Sequence, residues 1–102
     1  MVARLRTAGA IILGKTNVPM FSVSGDNAND SWAGPTYNAA APMRAPGASS
    51  AGTATAVAAS FAVLGLGEET GGSIQNPAAE FFASGQLVED MALTHSIHRT
   101  GV

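Results

Sequence analysis

The sequence predicts a mixed α/β fold, because segments typical of helices and of strands alternate along its 102 residues. In residues 2–8 apolar side chains recur at helical spacing, and residues 10–13 form a short apolar run typical of a buried strand. The alanine-rich residues 53–63 carry almost no polar face, as expected of a helix that is buried on all sides. A chain of 102 residues accommodates one small domain.

Gly, Pro and Asn mark the boundaries between these elements. Gly9 can adopt the left-handed conformation that closes the first helix. Turns are expected at residues 14–19 and 70–73, and residues 24–44 are dense in the residue types that form loops. The last two predicted elements are a short strand at residues 64–67 and a short helix at residues 77–83 with Pro near its start.

Composition restricts the classes of partner. Charged residues make up only 12% of the chain, against about 25% in an ordinary soluble domain. We therefore expect its faces to be covered by more of its own protein, by a partner or by self-association. The net charge of −2 and the scattered basic residues predict no nucleic-acid partner. The absence of cysteine and of a long apolar run predicts a cytoplasmic protein with no membrane span.

The stretch GAIILGKT, residues 9–16, satisfies the pattern of a phosphate-binding loop and contains Lys15, the only lysine. Such a loop follows a strand and opens a helix, so that backbone N–H groups and the helix dipole face the phosphate. In this chain a helix is predicted before the stretch, at residues 2–8, and a strand is predicted within it, at residues 10–13. Pro19 follows Lys15 closely, where the helix of a phosphate-binding loop would run. We therefore interpret this stretch as a buried strand and a polar turn.

Two serine motifs carry more chemistry, PGASSAG around Ser49 and EETGGSIQNPA around Ser73. Each places a hydroxyl among small residues ahead of a predicted helix, where backbone N–H groups can converge on an oxyanion. A simple helix cap is the alternative for both. Neither motif matches the nucleophile elbow G-x-S-x-G, which disfavours a Ser-His-Asp hydrolase.

Other candidates are weaker. His95 and His98 have a spacing that two metal ligands on one helix face can have, but no third ligand is evident, so no metal is predicted. Trp32 and Tyr37 lie in the long loop and could line a substrate pocket or anchor the loop on the core.

The segments ARLRTAGAIILGKTNVP, PTYN, PGASSAG and LGLGEETGGSIQNPAA, in this order, resemble the core of the amidase signature family. The resemblance covers residues 2–79, whereas residues 80–102 diverge from the family pattern. Its most specific part is the pair Ser49 and Ser73, which lie 24 positions apart as in the family. It implies that the chain is part of a mixed sheet between helical layers.

The resemblance also implies site roles. Ser73 matches the nucleophile that attacks an amide carbonyl, and Ser49 matches the cis-serine that relays the proton to a lysine. The non-proline cis bond of the family would fall between Ala48 and Ser49. The backbone N–H groups of residues 70–73, Thr70, Gly71 and Gly72 together with Ser73, match the oxyanion hole. The implied substrate is a small-molecule amide, with no cofactor.

Departures from the family limit this expectation. The catalytic lysine of the family lies in a segment that precedes the first helix of this chain, and Lys15 matches a different position. Glu69 stands where Asp is usual, and Gln75 stands where Arg is usual. We therefore expect the 102 residues alone to show little or no amidase activity. The alternative is a non-catalytic, amidase-like binding module or a truncated relic.

Overall fold

The computed structural model describes residues 1–27 and 31–83 of the chain. Its helices are α1 (Val2–Thr7), α2 (Ala51–Ala58) and α3 (Gln75–Ala83), and a 3-10 turn (Met20–Ser22) lies between α1 and α2. The remainder of this part of the chain is loop and turn, so both serine motifs lie in loops that lead into helices.

Helix α1 confirms the helix predicted at the start of the chain, including its end. The N–H of Ala8 donates to the carbonyl of Arg4 and that of Gly9 to the carbonyl of Arg6, both at 3.0 Å. Gly9 has a φ of +89°, the left-handed conformation that ends many helices and that glycine adopts at little cost.

Helices α2 and α3 pack against each other and supply the core. Ala54 from α2 and Phe81 from α3 are fully buried, and Ile74, just before α3, joins them. The small side chains of Ala58 and Ala78 border this cluster. Alanine at these positions allows the two helix backbones to approach closely, so the loops that precede the helices are brought together as well.

The predicted alanine-rich helix is displaced along the sequence. Helix α2 spans Ala51–Ala58 rather than residues 53–63, and Ser60 beyond it has a left-handed φ of +61°. The prediction that this helix is buried on all sides is wrong: buried residues lie in its first turn, and its second half is partly exposed. Helix α3 begins two residues before the predicted 77–83 segment and has the buried Pro77 in its first turn.

The two predicted strands are not observed. Residues 10–13 and 64–67 lack regular structure, and the side chains of Ile11 and Leu13 are 84% and 70% exposed instead of buried. A strand needs a neighbour to complete its hydrogen bonds. Among the described residues no segment pairs with residues 10–13, and the N–H of Ala10 donates to the carbonyl of Leu5 at 3.0 Å instead. The α/β fold class itself stays a prediction.

The long middle loop is confirmed for its described residues, and a buried asparagine organises part of it. Asn38 is fully buried, and its side-chain oxygen accepts hydrogen bonds from the N–H groups of Ala40 and Ala41, each at 3.0 Å. Its amide nitrogen donates to the carbonyl of Ala45 at 3.3 Å. Asparagine satisfies a turn in this way by bonding to backbone a few residues ahead. No helix in residues 1–27 or 31–83 has the length and apolar character needed to cross a bilayer.

Candidate active site

The two serine motifs meet in the folded chain. The backbone N–H of Ser50 donates to the carbonyl of Ser73 at 3.1 Å, although the two residues are far apart in sequence. Each motif comes directly before one of the two packed helices, which explains why the motifs are neighbours. The peptide bond between Ala48 and Ser49 is cis, at the position that the family resemblance predicts.

Ser49 and Ser50 are both buried, but only one hydroxyl has a described structural partner. The Ser50 hydroxyl lies 3.3 Å from the backbone nitrogen and 3.4 Å from the carbonyl oxygen of Glu68. A side chain at Gly67 would approach this hydroxyl to 3.0 Å, so the 67–68 segment needs a glycine to lie so near. Ser50 therefore holds Glu68 against the start of α2, and the assignment of Ser49 as the relay serine stays a prediction.

A carboxylate closes the turn that contains Ser73. Both Oε2 contacts of Glu69 are with backbone N–H groups at the start of α3, those of Ile74 and Gln75, each at 2.8 Å. The side-chain amide of Gln75 donates to the other carboxylate oxygen. These hydrogen bonds, first that from the Gln75 backbone and then that from Ile74, lower the pKa of Glu69 from its ordinary value of 4.5. Glu69 thus stays ionised and fastens the two ends of the 70–73 turn.

The predicted oxyanion-binding residues form this turn. Thr70 and Gly71 are exposed, Gly72 and Ser73 are partly buried, and Gly72 has a φ of +111° that favours glycine. Because the turn leads directly into α3, its N–H groups lie at the positive end of the helix dipole. The assignment of these N–H groups to an oxyanion hole stays a prediction.

A cavity of about 490 Å³ opens beside the Ser49 motif. Hydroxyl-bearing, apolar and acidic residues share its wall: Met1, Thr16, Val18, Ser22, Ser49, Ser50, Thr53, Leu66, Gly67 and Glu68. The cavity thus contains the predicted relay serine, whereas Ser73 lies outside the lining and is joined to it through the hydrogen bond to Ser50.

One wall of this cavity is held by a chain of hydroxyl groups. The Thr53 hydroxyl, in the buried first turn of α2, donates to the carbonyl of Leu66 at 2.8 Å. The Thr16 and Thr53 hydroxyl oxygens are 2.7 Å apart, and since Thr53 has a single hydroxyl proton, Thr16 must be the donor. Thr53 therefore ties the segments around Thr16 and Leu66 to helix α2.

The turn around Lys15 supports the start of α2. The N–H of Gly52 donates to the carbonyl of Asn17 at 3.0 Å, and a side chain at Gly52 would approach the Asn17 nitrogen to 2.3 Å. The Asn17 amide donates to the Thr36 hydroxyl at 2.8 Å. Lys15 itself is exposed and is not part of the cavity wall.

The other candidates have different outcomes. Trp32 is fully exposed and Tyr37 is 60% exposed, and neither lines the cavity, so the pocket-lining interpretation gains no support. His95 and His98 lie outside the described residues. Elsewhere, in the described part, no three His, Cys, Asp or Glu side chains come together to hold a metal ion.

The sequence analysis did not predict Thr53 and Asn76 as site residues, because their hydrogen-bond partners are distant in sequence.

Comparison with known proteins gives consistent matches. A family model described as Amidase matches residues 1–83. The chain is 54% identical over 79 residues to a subunit of the glutamyl-tRNA(Gln) amidotransferase of Natronomonas pharaonis, and the match covers 78% of this chain and 18% of the relative. The corresponding subunit of Methanococcus maripaludis strain C7 is 49% identical over 79 residues, with the same coverage of both chains.

A bacterial relative matches equally well. The corresponding glutamyl-tRNA(Gln) amidotransferase subunit of Thermus thermophilus is 50% identical over 78 residues, 76% of this chain and 16% of the relative. The chain thus spans less than a fifth of the length of these relatives. No solved structure matches it. Because the family model covers most of the sequence, the chain belongs to the amidase family.

Proposed function

We propose that this chain forms the core of an amide-bond hydrolase in which Ser73 is the nucleophile and Ser49 relays its proton. The observation that carries the proposal is the hydrogen bond between the Ser50 N–H and the Ser73 carbonyl, which holds the two serine motifs side by side. Family membership supports the reaction class, and Ser49 lines a cavity of about 490 Å³.

The proposed reaction has two halves. The Ser73 hydroxyl attacks the amide carbonyl while its proton passes to the Ser49 oxygen, whose own proton passes to a lysine amine. The backbone N–H groups of residues 70–73 receive the negative charge that develops on the carbonyl oxygen. The relay returns a proton to the leaving amine as the C–N bond breaks, and water then releases the acyl group from Ser73 by the same route.

The base in this scheme is a lysine that does not belong to the 102 residues. A pair of neutral serines cannot remove a proton efficiently at neutral pH, because the hydroxyl is a weak nucleophile without an adjacent base. Lys15 is exposed and outside the cavity wall, so it does not fill the role. The lysine is expected in the part of the complete protein that corresponds to the remaining length of the relatives.

The relatives extend the proposal to partners. Their name describes one subunit of an amidotransferase for glutamyl-tRNA(Gln). By similarity we expect this protein to work with partner subunits in an assembly of that kind. The expectation of no nucleic-acid partner, drawn from charge alone, finds no support in relatives whose name includes a tRNA. A cytoplasmic location stays a prediction from composition.

The test uses the longest in-frame protein that contains these 102 residues. Release of ammonia or amine from small primary amides is measured for the parent and for Ser73→Ala and Ser49→Ala. The matched control is Ser31→Ala, a serine in the long loop whose hydroxyl, among the described residues, accepts a bond from the nearby Ala33 N–H. We expect both site variants to lose activity and the control to keep it.

Two outcomes of this experiment speak against the proposal. Turnover that survives Ser73→Ala contradicts the proposal. A protein that binds amides without hydrolysing them, with no segment encoded upstream of Met1 that resembles the catalytic-lysine segment of the family, supports instead the non-catalytic, amidase-like binding module.

A further inference from the structure

Asn76 belongs to the Ser73 motif, in the first turn of α3, and also contacts the Ser49 motif. Its backbone N–H donates to the carbonyl of Gly72 at 2.7 Å, which ties it to the turn that ends in Ser73. Its side-chain oxygen accepts a hydrogen bond from the N–H of Ala48 at 2.9 Å, which ties it to the residue before Ser49. One residue thus connects the turn of residues 70–73, called here the nucleophile turn, to the turn of residues 47–50, called here the relay turn.

The contact between the relay turn and α3 is very close. Gly47 has a φ of +70°, and a side chain there would lie 2.6 Å from the Asn76 side-chain oxygen and 2.6 Å from the Cα of Pro77. Pro77 is buried and fixes its own backbone, so α3 cannot easily yield at this point. Glycine at position 47 lets the relay turn lie directly against α3. The Asn76 side-chain oxygen can then accept a hydrogen bond from the Ala48 N–H.

Ser49 is consequently held from both sides. The residue before it, Ala48, is 3% exposed and shares its N–H between the Asn76 side chain and the carbonyl of Gly25, the latter at 3.0 Å. The residue after it, Ser50, donates its N–H to the carbonyl of Ser73. Two of the hydrogen bonds that link the Ser49 motif to the Ser73 motif thus lie on either side of Ser49, and the one from Ala48 is accepted by the side chain of Asn76.

We infer that Asn76 is a positioning residue that sets the placement of Ser49 relative to Ser73, an inference that rests on the proposed function. Its oxygen is engaged with Ala48 and has no part in bond making. Proton relay between two hydroxyls depends strongly on their separation, and a misplacement of about 1 Å can cost about 100-fold in rate. Loss of the acceptor therefore affects the rate of reaction more than the binding of substrate.

Three variants separate this role from general stability. Asn76→Leu keeps the size of the side chain and removes the acceptor, whereas Asn76→Asp keeps an acceptor oxygen and adds a charge that suits the start of a helix. Asn38→Leu makes the same chemical change at a fully buried asparagine whose side-chain oxygen accepts hydrogen bonds from the N–H groups of Ala40 and Ala41.

The first measurement is amide hydrogen exchange at Ala48 in the 102-residue chain, with the Ala54 amide of α2 as internal reference. We expect Asn76→Leu to raise exchange at Ala48 about threefold relative to Ala54, because this buried N–H loses one of its two acceptors and keeps the Gly25 carbonyl. Asn76→Asp restores the parent ratio, and Asn38→Leu leaves the ratio unchanged. An unchanged ratio in Asn76→Leu overturns the inference.

The second measurement is amide hydrolysis by the longest in-frame protein. Asn76→Leu is expected to lower kcat about tenfold with little change in KM, and Asn76→Asp to restore kcat. Equal loss in Asn76→Leu and Asn76→Asp overturns the positioning role. Activity that survives Ser73→Ala refutes the proposed function instead, and hydrogen exchange at Ala48 then decides separately whether Asn76 holds the relay turn.

Discussion

Glu69 and Gln75 fasten the two ends of the turn that contains Ser73, through a backbone N–H bond of 2.8 Å and a second bond between their side chains. The family pattern has Asp and Arg at these positions, residues of opposite charge. In this chain a carboxylate pairs with a neutral amide. The carboxylate is held here by amide N–H groups rather than by a cation.

This pairing predicts a dependence of stability on pH. Since folding lowers the pKa of Glu69, its contribution to stability is complete above the ordinary value of 4.5 and is lost as the pH falls through the lower folded pKa. Thermal melts of the parent and of Glu69→Gln are compared from pH 7 to pH 3. We expect the variant to be less stable at pH 7 and the difference to shrink in acid.

The control for this experiment is Glu68→Gln, at the neighbouring exposed carboxylate, whose described hydrogen bonds involve only its backbone. It is expected to follow the parent across the whole pH range. A gap between parent and Glu69→Gln that stays constant down to pH 3 shows that the carboxylate does not hold the turn in its ionised form.

Gly47→Ala is expected to destabilise the chain by more than about 1 kcal/mol, because the new methyl group meets Asn76 and Pro77 at 2.6 Å and the φ of +70° is unfavourable for alanine. Gly14→Ala is the matched control, since no atom lies within 4 Å of a side chain at Gly14. Urea denaturation measures both. Equal midpoints for the two variants mean that the relay turn does not lie against α3.

Thr53→Val tests the hydroxyl chain in the cavity wall. The variant keeps the shape of the side chain but leaves the Leu66 carbonyl without its donor and the Thr16 hydroxyl without its acceptor. We expect a loss of about 1 to 3 kcal/mol in the free energy of unfolding. Thr7→Val, which removes an exposed bond to Ala3, is the control and should change stability little. A loss no larger than that of the control contradicts the assigned role of Thr53.

Local sequence signals predicted the elements whose causes are local. The end of α1 could be predicted because it depends on the φ of a single residue, Gly9. The helix α3 could be predicted from Pro77 and the apolar residues that follow it. The apolar run at residues 10–13 was misleading, because burial of a strand depends on partners elsewhere. The meeting of the serine motifs was implied by family resemblance, whereas the contact between Asn76 and Ala48 spans 28 positions and no local pattern predicts it.

The site at which a fluorophosphonate probe attaches shows whether Ser73 is the nucleophile, because such probes react with activated serines. The longest in-frame protein that contains residues 1–102 is treated with the probe, digested and analysed by mass spectrometry. We expect a phosphonyl adduct on the peptide that contains Ser73, absent in Ser73→Ala and formed much more slowly in Ser49→Ala. An adduct on any other serine that persists in Ser73→Ala, accompanied by undiminished amide hydrolysis, contradicts this role of Ser73.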